Sequence, residues 1–286
     1  MVIKKLLKEL IPPIFFRINN KFHQKILYPT FKSYKDALAA AESYEEQDLI
    51  KVIVAKTKKY IEQGYSNKVI NFNNLSDAST TRTLFAIAAG INKKTITILD
   101  FGGSAGIHYF TARQIISDDI SLKWCVVETE SLVNEAKKQG LENEELLFCS
   151  TIEEATSKIS EFDIVYSNYS LCYTPAPLFY LEQLLQTNFH NFFLTNTAMN
   201  EANQEIIGLQ TSLISTNGVG RDIPDHLGIS DREIIYPFTI PSKQQVESLF
   251  MKYGTIVYGI KEVEASCPTI KGSFDNYGYL IIGKDF

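Results

Sequence analysis

Between residues 100 and 106 the chain reads Asp-Phe-Gly-Gly-Ser-Ala-Gly, an acid followed by a run of small residues. The stretch before it, Thr95 to Leu99, alternates Thr and Ile and has the texture of a buried strand. The stretch after it, Ala105 to Ser117, has helical texture. Gly102 and Gly103 permit backbone angles closed to other residues and let a ligand approach the main chain, and amides at the start of a helix can face an anionic group. The position is informative too, because ligands of open α/β sheets bind beyond the carboxyl ends of the strands. The dinucleotide pattern GxGxxG fails in both registers: Gly102 meets Ser104 and Ile107, and Gly103 meets Ala105 and His108. A phosphate-gripping P-loop fails as well, since no Gly-Lys-Ser/Thr follows. What stands here is Asp100-x-Gly102-x-Ser104-x-Gly106, an acid at a strand tip before a small-residue turn.

That arrangement resembles the first motif of class I S-adenosylmethionine-dependent methyltransferases, with Ser104 in place of the middle glycine. The resemblance implies that Asp100, Phe101, Gly102, Gly103, Ser104 and Gly106 hold S-adenosyl-L-methionine, a ligand with an ammonium, a sulfonium, a carboxylate and a ribose but no phosphate. Trp124-Cys-Val-Val-Glu128 then reads as a second buried strand ending in an acid, 28 residues after Asp100. Alone, Glu128 is an ordinary strand-end carboxylate. Beside the turn it takes the place where this fold puts the acid that bridges the two ribose hydroxyls, and two acceptor oxygens suit a vicinal diol. By the same resemblance Thr151, after the third strand, lies near the adenine, although Ser150 and Thr151 also read as the N-cap of the next helix, with Glu153 and Glu154 in its first turn. Asn168 and Tyr169, after the fourth strand, fall where cofactor and acceptor meet.

Methyl transfer to a hydroxyl needs an in-line approach to the methyl and removal of a proton. His108, His226 and Asp222 are the candidate bases, with Tyr109, Tyr169 and Tyr236 as candidate pocket walls. His108, His226 and Tyr169 are carried forward as catalytic candidates. No cluster of His, Asp or Glu shows metal-ligand spacing, so no metal is expected.

The elements that must position these residues follow an alternating rhythm. Strands are predicted at Thr95–Asp100, Leu122–Glu128, Leu146–Cys149, Phe162–Ser167 and Phe192–Asn196. The intervening helices are predicted at Ala105–Ser117, Ser131–Gln139, Ile152–Ile159 and Leu178–Gln186. A βαβα order predicts a doubly wound parallel sheet. A helix over Ser242–Tyr253 and strands over Thr255–Val263 and Tyr277–Gly283 add an antiparallel pair. Upstream, Tyr34–Gly64 and about Ser79–Ala89 read helical. The expected organisation is a basic segment over 1–28, a helical extension over 29–94 and an α/β domain over 95–286. Within that domain, residues 199–241 exceed ordinary loop length and are expected to be a substrate-side insertion or lid.

The 286 residues are 45% apolar and 21% charged, which excludes a disordered or fibrous chain. The net charge of −5 disfavours a nucleic-acid binder, which needs a basic face. Four cysteines without a CxxC pair give neither a zinc ribbon nor a disulfide framework, so a cytoplasmic location is expected. Residues 1–27 stand apart. Lys4, Lys5, Lys8, Arg17, Lys21 and Lys25 face Glu9 alone, a local +5 interleaved with apolar residues and broken by Pro12-Pro13. This reads either as a peripheral contact with the inner membrane face or as an amphipathic stretch folded onto the body.

The chain as a whole resembles a family of bacterial methyltransferases associated with surface-polysaccharide gene clusters. The resemblance is carried by Ile-Pro-Pro-Ile-Phe (11–15), Leu99 to Phe110, Leu122 to Glu128, Ser150-Thr-Ile-Glu-Glu154 and Tyr236-Pro237. Thr195-Asn196-Thr197-Ala198 departs from that family's Asp-Arg-Thr-Pro, and the stretch Phe31-Lys-Ser-Tyr34 lacks its Gly-Trp. The resemblance implies a Rossmann-like, seven-stranded methyltransferase sheet and O-methylation of a sugar or sugar-linked acceptor. Two other readings stay open: an NAD-linked oxidoreductase, and a non-catalytic S-adenosylmethionine-binding protein of a membrane-associated assembly.

Overall fold

A computed structural model describes residues 25–41, 46–65, 83, 86–87, 93–269 and 272–284. The basic segment 1–24, including the 11–15 stretch, and most of the expected helix over 79–89 lie outside these residues. Of that helix Thr83, Ala86 and Ile87 are described, and all three are helical.

Seven strands form the main sheet: β2 (Thr95–Phe101), β3 (Ser121–Val127), β4 (Leu146–Cys149), β5 (Phe162–Asn168), β6 (Phe189–Asn200), β9 (Gly254–Thr269) and β10 (Gly272–Gly283). Their order is β4-β3-β2-β5-β6-β10-β9. The first five run parallel, and β10 enters antiparallel between β6 and β9. The fold is therefore the doubly wound, mostly parallel sheet with an antiparallel C-terminal strand that the sequence predicts. Helices α3 (Ile107–Arg113), α4 (Glu130–Lys138), α5 (Ile152–Lys158), α6 (Pro177–Leu185) and α7 (Lys243–Tyr253) connect the strands. Ile96, Ile98, Trp124 and Val126 belong to one core cluster, while Leu99, Phe101, Cys125 and Val127 belong to another. This is the period-2 partition of strands buried on both faces.

A second, three-stranded antiparallel sheet has the order β1-β7-β8, from β1 (Lys25–Phe31), β7 (Ile206–Leu213) and β8 (Glu233–Ile240). The segment 199–241, expected to be a substrate-side insertion or lid, carries β7 and β8, and the extension expected to be helical over 29–94 opens on the end of β1 before helices where Tyr34–Gly64 reads helical. Prolines masked both edges in the sequence: Pro237 sits in β8, and the β1 register shifts between Leu27 and Phe31, around Pro29. Proline is confined to edge strands and bulges, and β1 and β8 are the edges. Between β1 and β2 come α1 (Tyr34–Ala39), capped by Ser33, and α2 (Gln47–Tyr65). The apolar face of α2, with Leu49, Val52 and Ile53, packs into the first cluster.

Candidate functional site

Because β2 to β6 are parallel, their carboxyl ends align along one edge of the sheet. Phe101 is level with Val127 and Ser167, Val127 with Cys149, and Asn168 with Thr195. A cleft of about 1000 Å³ opens along this row. Phe101, Gly102, Ser104, Glu128, Thr151 and Asn168 line its floor. The opposite wall comes from α1, α2 and the second sheet, through Tyr34, Tyr60, Ser212 and Tyr236 and the loop residues Thr216 to Val219.

Three non-glycine residues among those described have positive φ: Ser104 (55°), Tyr169 (59°) and Asn196 (51°). Ser104 and Tyr169 follow strands of the row, Asn196 lies within β6 one residue past its last pairing with β5, and all three line the cleft. A left-handed conformation costs about 1 kcal/mol or more outside glycine and clusters at functional sites. At Ser104 it points the amide at the second strand tip, where Ser104 N donates to Glu128 Oε1 at 3.0 Å and Thr129 N donates to Oε2 at 3.0 Å. Burial pushes the Glu128 carboxyl above the ordinary range, and the two amides pull the other way. Each oxygen thus holds one amide and keeps a second lone pair for a ligand hydroxyl.

The turn is less open than its glycines imply. Gly102 N donates to Val127 O, and Gly106 N donates to Gly103 O. Three of its amides, with Ser104, are therefore committed within the protein, so its contribution is shape. Gly102 (φ 70°) passes so close to Ser170 that a side chain there would meet Ser170 Cβ at 2.2 Å. Gly103 backs onto the Asp100 carboxylate, and Gly106 packs on Leu146 and Phe148. Neither Gly103 nor Gly106 is among the cleft-lining residues.

Asp100 is the main correction. Strand alternation puts its side chain on the face of Ile96 and Ile98, beneath α3, where it is fully buried and not part of the cleft wall. Trp124 Nε1 donates to Oδ2 at 3.1 Å, and His108 Nδ1 lies 3.0 Å from Oδ2 and 3.2 Å from Oδ1. In the tautomer with the proton on Nδ1 the ring donates to this carboxylate and carries its lone pair on Nε2. His108 does line the cleft, with its ring edge-on to Tyr166 at 5.1 Å.

The remaining candidates divide. His226 is exposed on a short turn, Asp225–Leu227, and Asp222 lines a separate polar pocket, so neither belongs to the cleft. Tyr109 instead donates to Glu145 Oε2 at 3.0 Å and packs on Trp124. Tyr169 and Tyr236 are in the wall. Burial raises the Tyr169 phenol, and it pushes that of Tyr236 up to about 12. Both phenols are thereby favoured in their protonated form, able to donate a hydrogen bond into the cleft. Thr151 lines the cleft and also caps α5, accepting from Glu154 N at 3.0 Å. Asn196, Tyr173, Ser212 and Asn217 were missed. The strand-tip rule reaches Asn196, which ends the predicted fifth strand, but nothing local marks residues of a sheet read as a loop. Among the described residues no three His, Cys, Asp or Glu side chains come together to hold a metal ion, and no helix is long and apolar enough to cross a membrane.

No family profile matches the chain, and no curated protein does. Among solved structures, the N-terminal domain of EvdMO1 with SAH bound is similar at 11% identity and a TM-score of 0.45, over 73% of this chain and 82% of that one. An S-adenosylmethionine-dependent methyltransferase from Clostridium acetobutylicum ATCC 824 is similar at 11% identity and 0.44, over 79% and 98%. The 1,6-didemethyltoxoflavin-N1-methyltransferase of Burkholderia thailandensis is similar at 12% identity and 0.43, over 91% and 94%. At these scores the likeness bears on neither ligand nor reaction, which rest on the cleft itself.

Proposed function

We propose that the protein is an S-adenosylmethionine-dependent methyltransferase that methylates a hydroxyl of a sugar or sugar-linked acceptor. The observation that carries this reading is the Glu128 carboxylate, seated by the Ser104 and Thr129 amides at the tip next to the glycine turn, with one lone pair per oxygen remaining for a diol. The described lining residues include Glu128, Glu130 and Glu153 but neither Lys nor Arg. An acidic wall suits a cationic, phosphate-free nucleoside and repels a pyrophosphate, which counts against a nicotinamide dinucleotide.

In this reading Glu128 accepts from the ribose, and Ser150 to Ile152 border the adenine. Phe101, Gly102, Ser104 and Asn168 to Ser170 enclose the amino-acid end. When bound, the cofactor supplies an electrophilic methyl group on a sulfonium. His108, held through Nδ1 by Asp100, receives the acceptor's hydroxyl proton on Nε2. The facing wall of phenols, hydroxyls and an amide (Tyr34, Tyr60, Ser212, Thr216, Asn217, Tyr236) offers stacking faces and donors suited to a polyhydroxylated acceptor. Calorimetric titration tests the reading: S-adenosylhomocysteine binds, NAD does not, and Glu128→Gln loses about 1–3 kcal/mol of the nucleoside affinity. Binding of NAD, or unchanged affinity in the variant, removes the basis for this assignment. A chain that binds S-adenosylhomocysteine yet labels no acceptor pool is the non-catalytic alternative.

A further inference from the structure

Lys56 is a charged residue in the middle of the apolar face of α2, 3% exposed. Its ammonium donates to Ser215 O at 2.6 Å, Asn217 O at 2.8 Å and Gly220 O at 3.3 Å. All three hydrogens of the ammonium are thereby used, and all three acceptors belong to one loop between β7 and β8. One turn earlier on α2, Ile53 sets the spacing, since a Cβ on Gly218 would stand 3.3 Å from Ile53 Cα. The loop has further ties: Ser215 N and Oγ donate to Asp231 at 3.0 and 2.7 Å, and Asn217 Nδ2 donates to Ser212 Oγ at 3.1 Å. Its inner side supplies Thr216, Asn217, Gly218 and Val219 to the cleft.

A buried lysine is disfavoured unless its donors are met. Burial lowers its pKa to about 8, against the opposing pull of Asp222 and Asp231. Nothing about packing α2 requires a cation here, because Met would fill the same space. What the cation adds is attachment of residues 215–220, Ser-Thr-Asn-Gly-Val-Gly, whose one apolar side chain longer than glycine is Val219. We infer that Lys56 is a positioning residue for the acceptor side of the cleft: it draws the carbonyls of residues 215–220 onto α2 and so fixes the wall formed by residues 216–219. The term acceptor side rests on the proposed methyl transfer, but the attachment of the loop does not.

Hydrogen–deuterium exchange on the full chain separates the two. In Lys56→Met, amides of residues 214–221 exchange about tenfold faster or more, as expected for losing hydrogen bonds from a charged donor. Those of Thr95–Phe101 are unchanged, and S-adenosylhomocysteine affinity stays within about twofold. Lys56→Gln, which restores part of the donor set, recovers part of the protection. With methyl-labelled donor and a cell extract as acceptor pool, Lys56→Met raises the half-saturating extract concentration about tenfold while the rate at saturation changes less. Unchanged exchange at 214–221 overturns the inference. So does faster exchange throughout the chain in both variants, because Lys56 would then support the whole fold. If the wild-type protein labels nothing, the methyl-transfer reading fails while the exchange data still decide the role of Lys56.

Discussion

The Asp100 carboxylate lies beside His108 Nδ1, beneath the helix that carries the histidine. An acid at a strand tip reads as a ligand contact, but period-2 alternation turns Asp100 inward with Ile96 and Ile98, under the helix that carries His108. Two donors, Trp124 Nε1 and His108 Nδ1, converge on its carboxylate. Replacing it by Asn presents an amide to both, which disfavours the Nδ1–H tautomer and with it the basic Nε2. Under the proposed methyl transfer, Asp100→Asn is expected to lower the methylation rate at saturating substrates by about tenfold or more, and S-adenosylhomocysteine affinity is expected to stay within about twofold. Equal losses in rate and affinity would place Asp100 on the cofactor after all. Trp124, its second partner, has no distinguishing mark in the sequence. A lone tryptophan in an apolar strand reads as core, and its indole N–H matters only once the neighbouring strand is in register.

At the level of elements, α5 tests whether Thr151 serves the helix or the ligand. Thr151 Oγ1 accepts from Glu154 N, and Glu154 Oε2 accepts from Ser150 N at 2.8 Å, a reciprocal cap at the edge of the cleft. Thr151→Ala is expected to cost about 1 kcal/mol of stability, read as a lower Tm, with little change in nucleoside affinity. An affinity loss without a Tm change would reverse the assignment. Hydrogen bonds from Lys158 and Ser150 N hold the Glu154 carboxyl down at about 2. A carboxylate whose folded pKa lies below its unfolded value contributes stability above the unfolded value and loses it as pH falls toward the folded one. The stability gap between wild type and Glu154→Gln should therefore be widest above the ordinary carboxylate range and close as pH approaches 2. Since the carboxylate is about a third exposed, screening keeps that gap small. This capping pattern was legible in Ser150-Thr-Ile-Glu-Glu154, as were β2 to β6, whose short apolar runs are bounded by turns and helices. The strands β7 and β8 were not. Pro237 argues against a strand unless that strand is known to be an edge, and the sheet it edges depends on β1, whose Lys25 pairs with Thr211 of β7 from far along the chain.

At the scale of the whole molecule the charge is unevenly shared. Residues 1–27 carry +5 and the full chain −5, which leaves −10 for the remainder. A body of that sign is repelled by anionic lipid, so attraction to such a surface must come through the N-terminal segment, where each Lys or Arg contributes about 1 kcal/mol. Removing residues 1–20 takes away Lys4, Lys5, Lys8 and Arg17 with the apolar residues among them, and stops short of β1, which begins at Lys25. If the segment works as a surface contact, the full chain sediments with anionic vesicles but not zwitterionic ones, and rising salt releases it. The truncated chain then stays in the supernatant while its S-adenosylhomocysteine affinity and Tm are preserved. If the segment instead packs on the body, truncation lowers Tm and leaves sedimentation unchanged, because apolar residues lose their cover without any change at the lipid surface. The two outcomes move opposite observables, so one truncation and two measurements distinguish a chain anchored through residues 1–27 from one in which they only complete the fold.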